Sequence, residues 1–113
     1  MQKKFLFGVL VLLFIGVSVL YAQNNAELRS GVYQISGYSA ELVLTNRGFV
    51  ILWQDGKITN RGRWEQVGER INVRWDNKVF EAWLVSRSDV FIDADGYTWF
   101  RVRNINDRDL GIR

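Results

Sequence analysis

The residues with the most chemical promise are arginines set two apart near the middle of the chain. Arg61 and Arg63 precede Glu65, Arg70 and Arg74 bracket Asn72, and Trp83 follows beside Glu81. Alternate side chains of an extended strand share a face, so such a set can present guanidinium groups next to an indole. That combination can hold a phosphate, a carboxylate or a sugar ring through bidentate hydrogen bonds and stacking. Arg63, Arg70, Arg74 and Trp83 are therefore the candidate ligand- or partner-binding residues. The competing reading is a solvated outer face whose long arginine stems cover Trp83.

Other chemistry is thinner. Asp93-Ala94-Asp95-Gly96 invites comparison with a calcium loop, but aligning Gly96 with the loop's required glycine puts Phe91 and Val102 where carboxylates must stand. The four residues read better as a hairpin turn. Asp93 with Asp95, or Glu65 with Glu81, could pair as acid and base, yet nothing adjacent would separate their pKa values. Cysteine and histidine are both absent, which removes a thiol nucleophile, an imidazole base and a zinc site of ordinary ligand type. No catalytic residue, metal or cofactor is expected, and the chain is read as a non-enzyme.

The N-terminus has the form of a secretory leader. Lys3 and Lys4 precede an apolar run from Phe5 to Leu20, and Tyr21-Ala22 stands before polar Gln23-Asn24-Asn25. A cut after Ala22 is expected, with residues 1–22 as signal peptide and a periplasmic or secreted product. Leu20 is larger than the small residue usual at that position, so an uncleaved anchor in the inner membrane is the alternative. Membrane contact is expected only through this segment. Of the 15 basic residues two lie in the leader and of the 12 acidic residues none does, so the remainder is almost neutral. That is no footprint for nucleic acid, and none is expected as a partner. The roughly 90 residues left suffice for one domain with one modest core.

Residues 23–102 read as a single all-β domain and 103–113 as a charged tail ordered only at its start. Eight short strands punctuated by Gly, Asn and Asp turns predict an antiparallel meander, closed or partly open as a barrel, with a two-layer sandwich as the alternative. The strands run over 32–36, 41–45, 49–53, 57–66, 70–75, 79–85, 90–93 and 97–102. Trp53, Trp64 and Trp75 recur every eleven residues with Asp55-Gly56 and Gly68-Glu69 between them. Reading those pairs and Asp76-Asn77 as two-residue turns places Phe49, Trp53, Gly62, Trp64, Val73, Trp75 and Phe80 on one core face. Gly62 then lies under the rings of Phe49 and Trp75. The reverse face carries Arg63 opposite Arg74, Arg70 opposite Trp83, and Glu65 and Glu81 to offset the like charges. The Asn46-Arg47-Gly48 turn is open between two and three residues, and the two choices send Leu42 and Leu44 together to one face or to the other. Val50 and Leu52 fall on the non-tryptophan face, so this part of the sheet is apolar on both sides and needs a second cover.

Gly31-Val32-Tyr33, Leu42-Val43-Leu44, Gly48, Gly62-Arg63-Trp64 and Ile71-Asn72-Val73 together resemble small lipocalin-like barrel domains of bacterial envelope proteins, where a Gly-x-aromatic opens the domain and a Gly-x-Trp precedes a later strand. The chain departs from them in lacking the lipoprotein cysteine. The resemblance implies a barrel that binds a small ligand or an envelope partner and assigns no residue a role. The expected function is an exported, non-catalytic binding module for such a ligand or envelope component. The alternative is a structural or inhibitory protein docking onto another envelope protein by its Arg/Trp83 face or an exposed strand edge.

Overall fold

A computed structural model describes residues 26–112; the leader, and with it the expected cut after Ala22, lies outside the described residues. Eight strands form an antiparallel barrel in simple up-and-down order: β1 (Gly31–Gln34), β2 (Ala40–Leu44), β3 (Phe49–Gln54), β4 (Lys57–Val67), β5 (Arg70–Trp75), β6 (Phe80–Arg87), β7 (Val90–Ile92) and β8 (Thr98–Arg103). The barrel closes where Val32, Tyr33 and Gln34 of β1 pair with Arg103, Arg101 and Phe100 of β8. Closure excludes the sandwich and leaves these strands without an open edge.

Turn chemistry sets the register. Asp55 and Gly56 both have positive φ, 52° and 79°, as a two-residue type I′ turn requires, and Gly68, at φ 63°, starts the second two-residue turn. Between these turns Gly62 pairs with Trp75, Trp64 with Val73 and Arg63 with Arg74, as expected. Three further hairpins, β2–β3, β5–β6 and β7–β8, use three-residue loops. In each, the residue before the loop bonds the residue after it while the third loop residue turns left-handed: Gly48 at φ 89°, Lys78 at 72° and Gly96 at 90°. The first of these settles the open turn, pairing Leu44 with Val50 and Leu42 with Leu52. All four side chains then point into the barrel or pack against its core.

Two departures from the expected register have distinct causes. The loop after β5 is Asp76-Asn77-Lys78 rather than a two-residue turn, so Phe80 pairs with Arg74 and Trp83 with Ile71. This one-residue slip inverts β6: Trp83 is inside at 3 % exposure, while Phe80 is outside at 71 % and Ala82 and Leu84 are exposed beside it. Glu81 accordingly belongs to the inner face, not to the neutralisation of Arg63 and Arg74. The second departure is a bulge opposite Leu52 and Trp53, where Ile58 pairs with Trp53 but Asn60 already pairs with Leu52. The extra residue, Thr59, puts Val50 rather than Phe49 opposite Gly62. Phe49 therefore lies on the outer wall, as do Ile51 and Trp53, and Val50 and Leu52 lie within. Bulges of this kind let a strand bend around a barrel.

The lumen is filled by Tyr33, Leu42, Leu44, Val50, Ile71, Val73, Trp75, Trp83, Phe91 and Trp99. Gly62 admits the close approach of β5: a Cβ there would clash with the Arg74 carbonyl oxygen and meet the Trp75 Cα at 2.8 Å. The required absence of a side chain thus comes from neighbouring backbone, not from a ring of Phe49. Burial pushes the Tyr33 phenol well above its ordinary pKa, which keeps it a hydrogen-bond donor, 2.5 Å from the Arg29 carbonyl.

The tail is ordered well past its start. Ile105 and Leu110 pack on Val32, Val43 and Ile51, with half-buried Trp53 and Ile58 at the margin, in a second apolar cluster outside the barrel wall. A short 3₁₀ helix, Asp107–Leu110, carries a reciprocal Asn106/Asp109 capping box. Asp109, 6 % exposed, receives Arg103 at 2.5 and 2.7 Å, and its carbonyl accepts the Trp53 indole N–H at 2.8 Å. This is the second cover that an apolar outer face on β1 to β3 requires.

Candidate functional site

The barrel has two unlike ends. At the end where β1 begins, the lead segment turns inward and Leu28 plugs the lumen at 3 % exposure. Its N–H donates to Gln66 Oε1 at 2.8 Å, and Gln66 Nε2 returns bonds to the carbonyls of Ala26 and Gly68 at 2.8 and 2.9 Å. The opposite end holds a cavity of about 290 Å³, toward the small end of ligand pockets. Its walls come from inward residues of β2, β3, β5, β6 and β8 and from two loops. Larger clefts of about 320, 440 and 730 Å³ are grooves where the terminal segments lie on the barrel, and one of about 360 Å³ lies beside Arg63, Arg74 and Phe80. The mouth is lined by the core residues Leu42, Trp75, Trp83 and Trp99.

Three indoles wall this mouth: Trp75, Trp83 and Trp99. With Phe91 they recur every eight residues, one per strand from β5 to β8, and they form a continuous row of ring contacts. Trp75 lies 6.2 Å from Trp83, Trp83 is parallel to Phe91 at 4.8 Å, and Phe91 is parallel to Trp99 at 5.9 Å. Each indole N–H of the mouth donates to a carboxylate. Glu81 accepts Trp75 at 2.6 Å and Trp83 at 3.1 Å, one on each oxygen, and Asp93 Oδ2 accepts Trp99 at 2.8 Å. Asp93 Oδ1 takes the backbone N–H groups of Asp95 and Tyr97, both at 2.9 Å, which builds the β7–β8 turn around it. At the rim Tyr38 and Tyr97 meet edge-on at 5.6 Å, and the neighbouring Tyr38 phenol pushes the Tyr97 phenol up.

The arginines predicted to act together are divided. Arg63 and Arg74 are adjacent across the β4–β5 ladder in a row that reads Phe49, Arg63, Arg74, Phe80 over four strands. Each guanidinium sits over a phenyl ring, Arg63 at 5.2 Å from Phe49 and Arg74 at 5.6 Å from Phe80. Neither makes an ion pair among the described residues, where both salt bridges belong to Arg103. Arg70 stands at the other end of β5 beside Val67 and Leu84, about 13 Å along the strand from Arg74, and Trp83 is in the lumen. The structure therefore joins two of the four candidates and separates the others. Glu81, Asp93, Trp99, Tyr38 and Tyr97 were not singled out from the sequence as a binding group. The eight-residue aromatic period is the available signal for Trp99 among them.

No family model, no curated protein and no solved structure matches the chain, so a functional reading rests on this geometry.

Proposed function

We propose that the chain is an exported, non-catalytic binding module that takes one small ligand in the tryptophan-walled mouth of its barrel. The observation that carries this reading is the asymmetry of the lumen. One end is filled by Leu28, and the other stays open around three indoles and carboxylates that already hold those indoles in place. Eight strands enclose an interior just wide enough to be filled by side chains or to hold one small ligand, and preorganised aromatic walls lower the ordering cost of binding. Export is supported by the leader at residues 1–22. The three mouth indoles make intrinsic fluorescence the natural assay. Saturable change with at least one small envelope component is expected, and a flat response to every amine, glycan and lipid headgroup tried would remove the reading.

A second reading has its own observation, the Phe49–Arg63–Arg74–Phe80 row with two guanidinium groups free of carboxylates among the described residues. It supports docking of an acidic envelope partner on the outer wall, on a face from which Trp83 is absent. Charge reversal of both arginines should abolish capture of such a partner from periplasmic extract. An unchanged captured set rules the row out.

A further inference from the structure

We infer that the ligand of the mouth is a small organic cation, an ammonium or guanidinium group on a compact apolar body. This rests on the mouth being the ligand site and adds the class of ligand. Charge is the first argument. Glu81, Asp93 and Asp95 line the cavity, and no lysine or arginine among the described residues lines it with them. Nor do those three carboxylates take part in an ion pair among the described residues, since both salt bridges are made by Arg103 to Glu41 and Asp109. A cluster of negative charge in a largely neutral domain, fixed against low-dielectric walls, attracts a positive group and repels an anion.

The walls are the second argument. Cations are drawn to the faces of aromatic rings, tryptophan most strongly, and cages of such rings are the recurrent means of recognising quaternary ammonium groups. Hydrogen-bond balance is the third. The indole N–H groups are already committed to Glu81 and Asp93, so the mouth presents spare carboxylate lone pairs and few donors. A sugar carries acceptors as well as donors and would leave part of its oxygen atoms unpaired, whereas an organic cation adds no acceptor at its charged group: a protonated amine or guanidinium has donors only, and a quaternary ammonium has neither. The cavity of about 290 Å³ limits the body that accompanies the charge.

The test compares charged and neutral ligands of one shape. Choline and tetramethylammonium are titrated against 3,3-dimethylbutan-1-ol and neopentyl alcohol by tryptophan fluorescence and calorimetry, alongside butylamine, butylguanidine and a panel of monosaccharides. At least tenfold tighter binding of the cations than of their neutral counterparts is expected, and added salt should weaken it. Glu81→Gln should reduce cation affinity by tenfold or more. Asp95→Asn removes a lining charge that holds no indole, and it should weaken cations several-fold with an unchanged melting temperature. Equal binding of neutral isosteres, preference for sugars, or full cation affinity in folded Asp95→Asn and Glu81→Gln overturns the cation assignment and leaves the mouth a ligand site. Absence of saturation by any of these compounds overturns the mouth as a site.

Discussion

The two ends of this barrel use the same materials, apolar side chains and hydrogen-bonded polar groups, to opposite effect. At the closed end the polar partner is a neutral amide: Gln66 satisfies the backbone of Leu28, Ala26 and Gly68 at once, and its bonding capacity is directed into the chain. At the open end the partners are carboxylates. Glu81 and Asp93 satisfy indole N–H groups but keep their charge and further lone pairs. The difference separates a sealed end from an open one: neutral matching closes the first, and the second keeps carboxylates without an ion-pair partner among the described residues.

A large effect is expected from breaking this contrast at the seal. Leu28→Ala removes a buried plug and should destabilise by about 2–3 kcal/mol, seen as a fall in melting temperature, whereas Tyr38→Ala at the exposed rim should stay within about 0.5 kcal/mol of wild type. Equal losses at the two positions would mean that the ends are not distinct. Gly62 tests the wall that connects them. Any side chain there meets β5 backbone, which cannot rotate aside, so Gly62→Val should cost about 1–3 kcal/mol or more. Thermal melting that leaves this variant unchanged would contradict the pairing of Gly62 with Trp75.

At the open end the carboxylate itself can be removed without emptying space. Glu81→Leu leaves the indole N–H groups of Trp75 and Trp83 without their acceptor, at about 1–3 kcal/mol for each group that water cannot reach. Glu81→Gln, which keeps one acceptor oxygen, should recover part of that loss in urea denaturation. If both variants are as stable as wild type, the indoles do not depend on Glu81 and its place in the mouth is not structural.

These contrasts divide along the line between what turn residues announce and what they do not. Glycine marks the Asp55-Gly56 and Gly68-Glu69 turns, and with them the β4–β5 pairing is readable, including Arg63 beside Arg74 and Trp64 beside Val73. The β5–β6 loop gives no such mark, because Lys78 occupies the left-handed position that glycine fills in the two other three-residue loops. The local sequence therefore predicts a two-residue turn, which inverts β6 by placing Trp83 on the arginine face and Phe80 in the core. The bulge at Thr59 is equally silent, being a demand of barrel curvature rather than of local composition. Trp53, Trp64 and Trp75 are evenly spaced yet split by it: Trp53 lies outside under the tail, and the other two lie inside. The spacing with structural meaning is Trp75, Trp83, Phe91 and Trp99, one inward aromatic per short strand. The tail hid its role because Ile105 and Leu110 are single apolar residues among charges, without a period to reveal them.

The smallest expected effect sharpens the contrast between carboxylates that have a partner and those that do not. Asp109 lies on the outer wall, and its bonds from Arg103 hold its carboxyl below the usual carboxylate range. A folded-state pKa lowered in this way stabilises the protein fully above the unfolded value and loses that contribution as pH falls through the folded one. The clasp of the tail should therefore be intact at neutral pH and loosen only below about pH 4, the ordinary aspartate value. Because Arg103 is partly open to solvent, screening keeps the contribution modest, about 1 kcal/mol. Urea melts of wild type and Asp109→Asn should differ at pH 6 and converge under acid, with the Trp53 indole resonance reporting release of its bond to the Asp109 carbonyl. A gap that persists unchanged at low pH would assign the clasp to Ile105 and Leu110 packing alone, and would remove the charge pairing that sets Asp109 apart from Glu81.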